Sequence, residues 1–216
     1  MTLVLVMLVL QTQAAALDND YVRVTRAGAP CASAAAGCGE RIIVALGDVE
    51  LRSGDRPRRL RRGEIAVFAR GESYAVAAGG PYFEVNIKPG HPPADGPAEV
   101  LPPDKNTILH DGQRFFVFEE RLAVGDTRAR HSHGQRVVIQ LNRTRLQQWP
   151  EGQDEMIRDI EPDRAGFNLP VIHIVKNVGD LALRGIVIEF RKAPRTSMNE
   201  SMIRASDAAT TARGGA

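Results

Sequence analysis

The chain has 216 residues, 43% of them hydrophobic and 25% charged, which is enough for one large or two small packed domains and excludes wholesale disorder. The formal charge is only +2, from 28 basic and 26 acidic residues, which argues against a dedicated nucleic-acid binder. One Trp, three Tyr and seven Phe leave the core to Val, Ile and Leu, and 20 Gly with 13 Pro favour turns over long helices.

Residues 2–10 read TLVLVMLVL, an uncharged apolar run too short for a bilayer, which needs about 20 residues. Gln-Thr-Gln and then Ala14-Ala15-Ala16 follow it. An apolar segment ending in small residues reads as a secretory signal over residues 1–16, with the mature chain starting near Leu17. The other reading is a first strand. The signal predicts a periplasmic or secreted protein, and the Ala-, Arg- and Gly-rich composition has a bacterial look. It predicts no membrane span. Cys31 and Cys38 follow, separated by six residues (ASAAAG). In an oxidising compartment they suggest a disulfide, the alternative being two half-buried thiols.

The rest of the chain reads as short strands between turns. The candidates are Tyr21–Arg26, Glu40–Leu46, Glu64–Phe68, Tyr82–Lys88, Arg114–Leu122, Arg136–Leu141, Pro170–Asn177 and Gly185–Lys192, all rich in Val, Ile or Phe. No segment keeps a helical period, so the predicted class is all-β, a sandwich or barrel. The Arg-rich run Arg56–Arg62 follows the turn signal Gly54-Asp55 and reads as a solvated strand edge. Six prolines between Pro89 and Lys105 cannot sit inside a sheet and predict a linker or crossing arm. Residues from Pro194 onward carry no periodicity and read as a disordered tail.

The two halves repeat. Gly39-Glu40-Arg41-Ile42-Ile43-Val44-Ala45-Leu46 lies over Gly134-Gln135-Arg136-Val137-Val138-Ile139-Gln140-Leu141 at an offset of 95, and Leu51 falls over Leu146. The match points to two copies of one β-domain. The expected layout is therefore a signal over 1–16, one half over 17–90, an arm over 91–112, a second half over 113–193 and a tail over 194–216.

Three of the five histidines fall in two patterns, Gly125-x5-His131-Ser132-His133 and His173-x3-Asn177. Alternate strand residues share a face, so His131 and His133 point one way and His173 joins Val171 and Val175. Three neutral imidazoles converging in a pocket make a metal site with open positions. Ser132 points away from such a site.

These motifs resemble the cupin superfamily. Gly125, His131 and His133 match the opening of its first motif, and His173 with Asn177 the end of its second. A turn-rich insertion from Gln147 to Asn168 separates them, and Trp149 and Phe167 lie within it, near the expected barrel mouth. The first half repeats the spacing of the second motif as Gly63-x5-Ala69-x-Gly71-x2-Tyr74-x3-Ala78, with its ligands replaced. The resemblance implies a two-cupin (bicupin) protein of antiparallel jelly-roll barrels with a degenerate first half, in which Tyr74 stands in for His173. It implies one divalent transition metal (iron, manganese, nickel, copper or zinc) on His131, His133 and His173. The Glu that cupins usually add after the second His is replaced by Val137 and Val138, so no carboxylate is expected beside the histidines. Gln135 or Arg136 is a candidate for that corner, and Asn177 for the pocket or a strand end.

Two functions follow from the resemblance. One is a metal-dependent oxidoreductase of dioxygenase type, or an isomerase, acting on a small anionic or chelating molecule. The other is a non-catalytic module that binds a small molecule or a partner. Cupin copies often pair through their outer sheets, which implies a homodimer. An immunoglobulin-like sandwich accounts for the strands but not for the histidine spacing.

Overall fold

A computed structural model describes residues 15–27, 38–54, 56–90 and 105–191. The expected signal, except Ala15 and Ala16, and the expected tail lie outside the described residues, as does Cys31. Cys38 is buried. Every regular element among the described residues is a strand, and no helix there is long and apolar enough to cross a membrane.

The first half carries β1 (Leu17–Asp18), β2 (Val22–Arg26), β3 (Glu40–Ala45), β4 (Val49–Ser53), β5 (Arg56–Leu60), β6 (Ile65–Phe68), β7 (Ala75–Gly79) and β8 (Tyr82–Ile87). The second carries β9 (Asn106–Asp111), β10 (Phe115–Leu122), β11 (Thr127–His133), β12 (Arg136–Gln140), β13 (Thr144–Pro150), β14 (Met156–Ile160), β15 (Ala165–Asn168), β16 (Val171–Asn177) and β17 (Leu183–Phe190). All the pairings are antiparallel. The first half forms a five-stranded sheet, β1-β2-β8-β3-β6, and a three-stranded sheet, β5-β4-β7. The second forms a five-stranded sheet, β9-β10-β17-β12-β15, and a four-stranded sheet, β14-β13-β16-β11. The five-stranded sheets thus run in the same order, and β3 and β12 are the strands that the 95-residue offset superposes.

Two-residue alternation makes each five-stranded sheet apolar on both faces. Ile42, Val44, Phe83 and Val85 from one sheet form a single cluster with Phe115, Val117, Val137, Ile139, Ile186 and Ile188 from the other. The two sheets therefore pack on each other within one chain. Arg62 bridges the same boundary by donating to the carbonyls of Leu46 and Leu141, which are equivalent positions in the two halves, and to Asp163. On their opposite faces, Ile43 and Ala45 join Val49, Leu51, Tyr74 and Tyr82 inside the first half. Phe116, Phe118, Val138 and Val187 line the interior of the second.

Beyond adding short strands such as β4 and β7, the structure departs from the sequence reading in two stretches. Asn106–Asp111 lies within the expected arm but is a strand, because its extended Asn106, Thr107 and Ile108 pair along β10 as a sheet edge, with a bulge at Leu109 before His110 and Asp111 pair in turn. The expected insertion Gln147–Asn168 is mostly sheet, with β13 continuing to Pro150 and β14 and β15 completing the barrel. Its exposed, charged strands lack the apolar alternation that marks the core strands. Trp149 donates to Glu155, and Phe167 packs toward the boundary between the halves against Tyr21 and Phe190.

Candidate metal centre

Strands β11 and β16 pair antiparallel with His131 directly opposite His173. His133 is two residues on from His131 and so shares its face. The three rings are 3%, 3% and 8% exposed, and one nitrogen from each lies within 4.8 Å of the others. The Nε2 atoms of His131 and His173 are 3.1 Å apart. Metal–imidazole bonds of about 2.0–2.1 Å, set roughly at right angles or tetrahedrally, bring two nitrogens about that close.

The partners of the rings set which nitrogens are available. His131 Nδ1–H donates to the Ala129 carbonyl at 2.8 Å, which leaves the Nε2 lone pair free. His133 Nδ1–H donates to Glu189 Oε2 at 2.9 Å, again freeing Nε2. His173 Nδ1 is buried and has no hydrogen-bond partner among the described residues. Burial holds all three imidazoles neutral, as metal binding requires. It is the main cause that takes His133 down to about 3 and His173 to about 2, with nearby positive charge adding to the effect, and it also lowers His131. Three neutral imidazoles with in-turned nitrogens fit a divalent transition ion. They offer no thiolate for a soft monovalent ion and no oxygen cage for calcium.

Carboxylates do stand beside the histidines, contrary to the sequence expectation. Glu189 on β17 is fully buried, and its second oxygen accepts the Gly134 amide N–H. Burial pushes this carboxyl up to about 7 against the opposing pull of the Gly134 hydrogen bond and Arg136. Glu120 on β10 faces the same interior. Burial alone would raise it, but the Arg128 and Arg136 guanidinium groups outweigh burial and hold it ionised. Arg128, wholly buried, donates to it directly. Neither residue belongs to a histidine-centred sequence motif. The available signal was the lone Glu in the apolar run Gly185-Ile186-Val187-Ile188-Glu189-Phe190, where alternation turns Glu189 inward with Val187. Replacing Glu189 with Gln should weaken divalent-metal affinity about 10–100-fold, because the two N–H donors go to different carboxylate oxygens and the amide sets an NH2 donor against one of them. A competition titration against a chelator checks this, and unchanged affinity contradicts it.

His133 and His173 open onto a cavity of about 690 Å³ between the two sheets of the second half. Glu120, His133, Arg136, Gln140 and His173 are on its wall, with Arg158 on the β14 side. The structure therefore brings Arg136 to the same cavity as the histidines. Gln135 is not on that wall, since alternation sets it on the opposite face with Val137. Asn177 is not there either. It is fully buried as a bracket at the end of β16, donating to the carbonyls of Leu122 and Leu181 and accepting from Thr144 and Gly179. Tyr74 lies in the first half's core, stacked on Phe68 at 4.6 Å and donating to the buried Glu84.

No family model matches the sequence, and no curated protein matches it. Solved structures do. The chain is similar to a putative glyoxylate-induced protein from Pseudomonas aeruginosa, with a TM-score of 0.57 and 12% identity over 82% of this chain and 77% of that one. It is similar to oxalate decarboxylase from Bacillus subtilis, a protein with Mn(II) centres, with a TM-score of 0.54 and 10% identity over 87% and 75% of the two chains. It is also similar to a cupin 2 conserved barrel domain protein from Leptotrichia buccalis, with a TM-score of 0.52 and 11% identity over 81% and 86%. At these identities the likeness concerns the fold, and the strand order, the antiparallel sheets and these neighbours together make this chain an all-β protein with the jelly-roll barrel fold of the cupins.

Proposed function

We propose that the chain is an exported bicupin that holds one divalent transition metal on His131, His133 and His173 and uses it to bind a small anionic, chelating organic molecule. The observation that carries this is the convergence of three buried, neutral imidazoles, two of them oriented by hydrogen bonds at Nδ1. When bound, the ion supplies a Lewis-acid or redox centre that polarises an oxygen of its ligand. The chain's own residues do the rest. Glu189 and the Ala129 carbonyl aim two imidazoles, the sheets limit access of water to the rings, and Glu120 keeps a carboxylate on the cavity wall. Dioxygenase-like oxidation and isomerisation are the enzyme reactions in view. The apolar run before Leu17 supports export.

The first half supports the second reading, a non-catalytic binding module, because the counterpart of the metal barrel is filled. Phe68, Tyr74 and Tyr82 occupy its interior with Val49 and Leu51. The degenerate half serves as a scaffold, pairing its five-stranded sheet with that of the metal-bearing half.

Calorimetric titration of the chelator-treated protein with cobalt(II) or zinc(II) tests the proposal. One ion per chain is expected. No binding overturns the reading, and two tight sites would show that the first half also holds an ion.

A further inference from the structure

The internal repeat allows one arginine to be compared with itself. Arg41 and Arg136 are equivalent at the 95-residue offset, and each donates to the carbonyl of the equivalent glycine. Arg41 Nε reaches Gly39 at 3.2 Å, and Arg136 Nη1 reaches Gly134 at 3.0 Å. Both are more than nine-tenths buried, at 1% and 7% exposure. Beyond that shared bond they differ. The guanidinium of Arg41 lies 5.1 Å from the centre of the Tyr74 ring, and its Nη2 is committed to the Glu72 carbonyl. The first half therefore covers its arginine. Among the described residues Arg136 has only one further bond, from the same Nη1 to the Leu169 carbonyl at 3.1 Å. Its Nε and Nη2 donate to none of the described residues, and its side chain is on the wall of the cavity that His133 and His173 also line.

The charges around it leave room for an anion. The charged groups there are two buried arginines, Arg128 and Arg136, the buried Glu189 and the half-buried Glu120. With both carboxylates ionised, these charges balance before any ion arrives. A divalent ion on three neutral imidazoles then adds two positive charges with no protein counter-charge, in a site that water reaches poorly. Arg128 is spent on Glu120. Arg136 has the unused donor edge, and a guanidinium edge matches a carboxylate in a two-bond fork.

We propose that Arg136 is the specificity-determining anchor of the site, gripping a second anionic group of a small organic dianion whose first group binds the metal. This rests on the metal reading above. It makes the ligand a two-headed anion, with Tyr74 in the first half blocking the corresponding position.

The test uses the full mature chain loaded with cobalt(II), whose visible spectrum reports ligands entering the metal's open positions. Malonate is the dianion probe, malonamide its neutral counterpart, and imidazole a neutral ligand that needs only the metal. Wild type should bind malonate well ahead of malonamide. Arg136→Gln should lose about 10–100-fold in malonate affinity and keep its imidazole affinity and its cobalt stoichiometry. Equal malonate affinity in wild type and a cobalt-replete Arg136→Gln variant overturns the proposal and leaves the metal site standing. So does equal binding of malonate and malonamide by wild type. Should Arg136→Gln fail to retain cobalt, Arg136→Lys decides, since it keeps the charge and loses the fork. A drop in malonate affinity of several-fold supports the anchor, and no drop overturns it. A wild type that takes up no cobalt sinks the metal reading and this inference with it.

Discussion

Replacing His131 and His173 together with Ala should abolish stoichiometric metal retention, leaving the purified protein with background levels of iron, manganese, nickel, copper and zinc. Losing a residue that merely orients a ligand costs about 10–100-fold in affinity. Losing two of three donors removes the site itself, since His133 alone is an ordinary monodentate group. The fold should survive. His133 and His173 are on the wall of a cavity, His131 is buried beside them, and the apolar clusters that join the sheets include none of the three. The 3.1 Å approach of two Nε2 atoms is also removed by the change, so no buried nitrogen of that pair is left without its neighbour. Elemental analysis of wild type and double mutant side by side checks this. A double mutant that keeps a full equivalent of the same metal would place the ion elsewhere.

Replacing Phe115 with Ala should destabilise the whole chain, both halves at once, by about 3–5 kcal/mol. Phe115 is fully buried in the cluster that joins the two five-stranded sheets, with Val22, Val24 and Ile87 of the first half and Val117, Ile188 and Phe190 of the second in the same cluster. A cavity there removes contacts from both sheets. Urea denaturation should therefore show one transition, shifted to lower urea, in fluorescence and far-ultraviolet dichroism alike. Two separated transitions, with the first half unaffected, would contradict a shared core.

Much of this architecture was legible in the sequence, and several of the strands that were not share a physical cause. All eight strands expected from Val-, Ile- and Phe-rich runs correspond to observed strands, among them β3, β8, β10, β12 and β17 of the five-stranded sheets. Those strands are buried on both faces and read as continuous apolar segments. Strands β7 and β14 escaped because they lie at sheet edges with small or charged, mostly exposed residues, such as Met-Ile-Arg-Asp-Ile at β14. Their places come from pairing with neighbours, which composition does not record.

The site shows the same division. The histidines were legible because i and i+2 on a strand must share a face, and the structure sets His131 opposite His173. Glu189 was not, since it comes from β17 and approaches His133 across 56 positions of sequence. Asn177 kept its motif position but spends all its hydrogen bonds on the end of β16, which spacing alone could not reveal. Arg136 was one of two neighbours offered for the same corner. The register of β12 decides between them, because Arg136 faces the cavity with Val138 and Gln140 while Gln135 does not.

The central claim is that a single divalent ion sits on three imidazoles of the second half. X-ray absorption at the metal edge of the loaded protein tests it most directly. The account predicts scattering from three imidazole rings, light-atom ligands in the remaining positions and no sulfur. A spectrum with sulfur neighbours, or with fewer than three imidazoles at full occupancy, would contradict it.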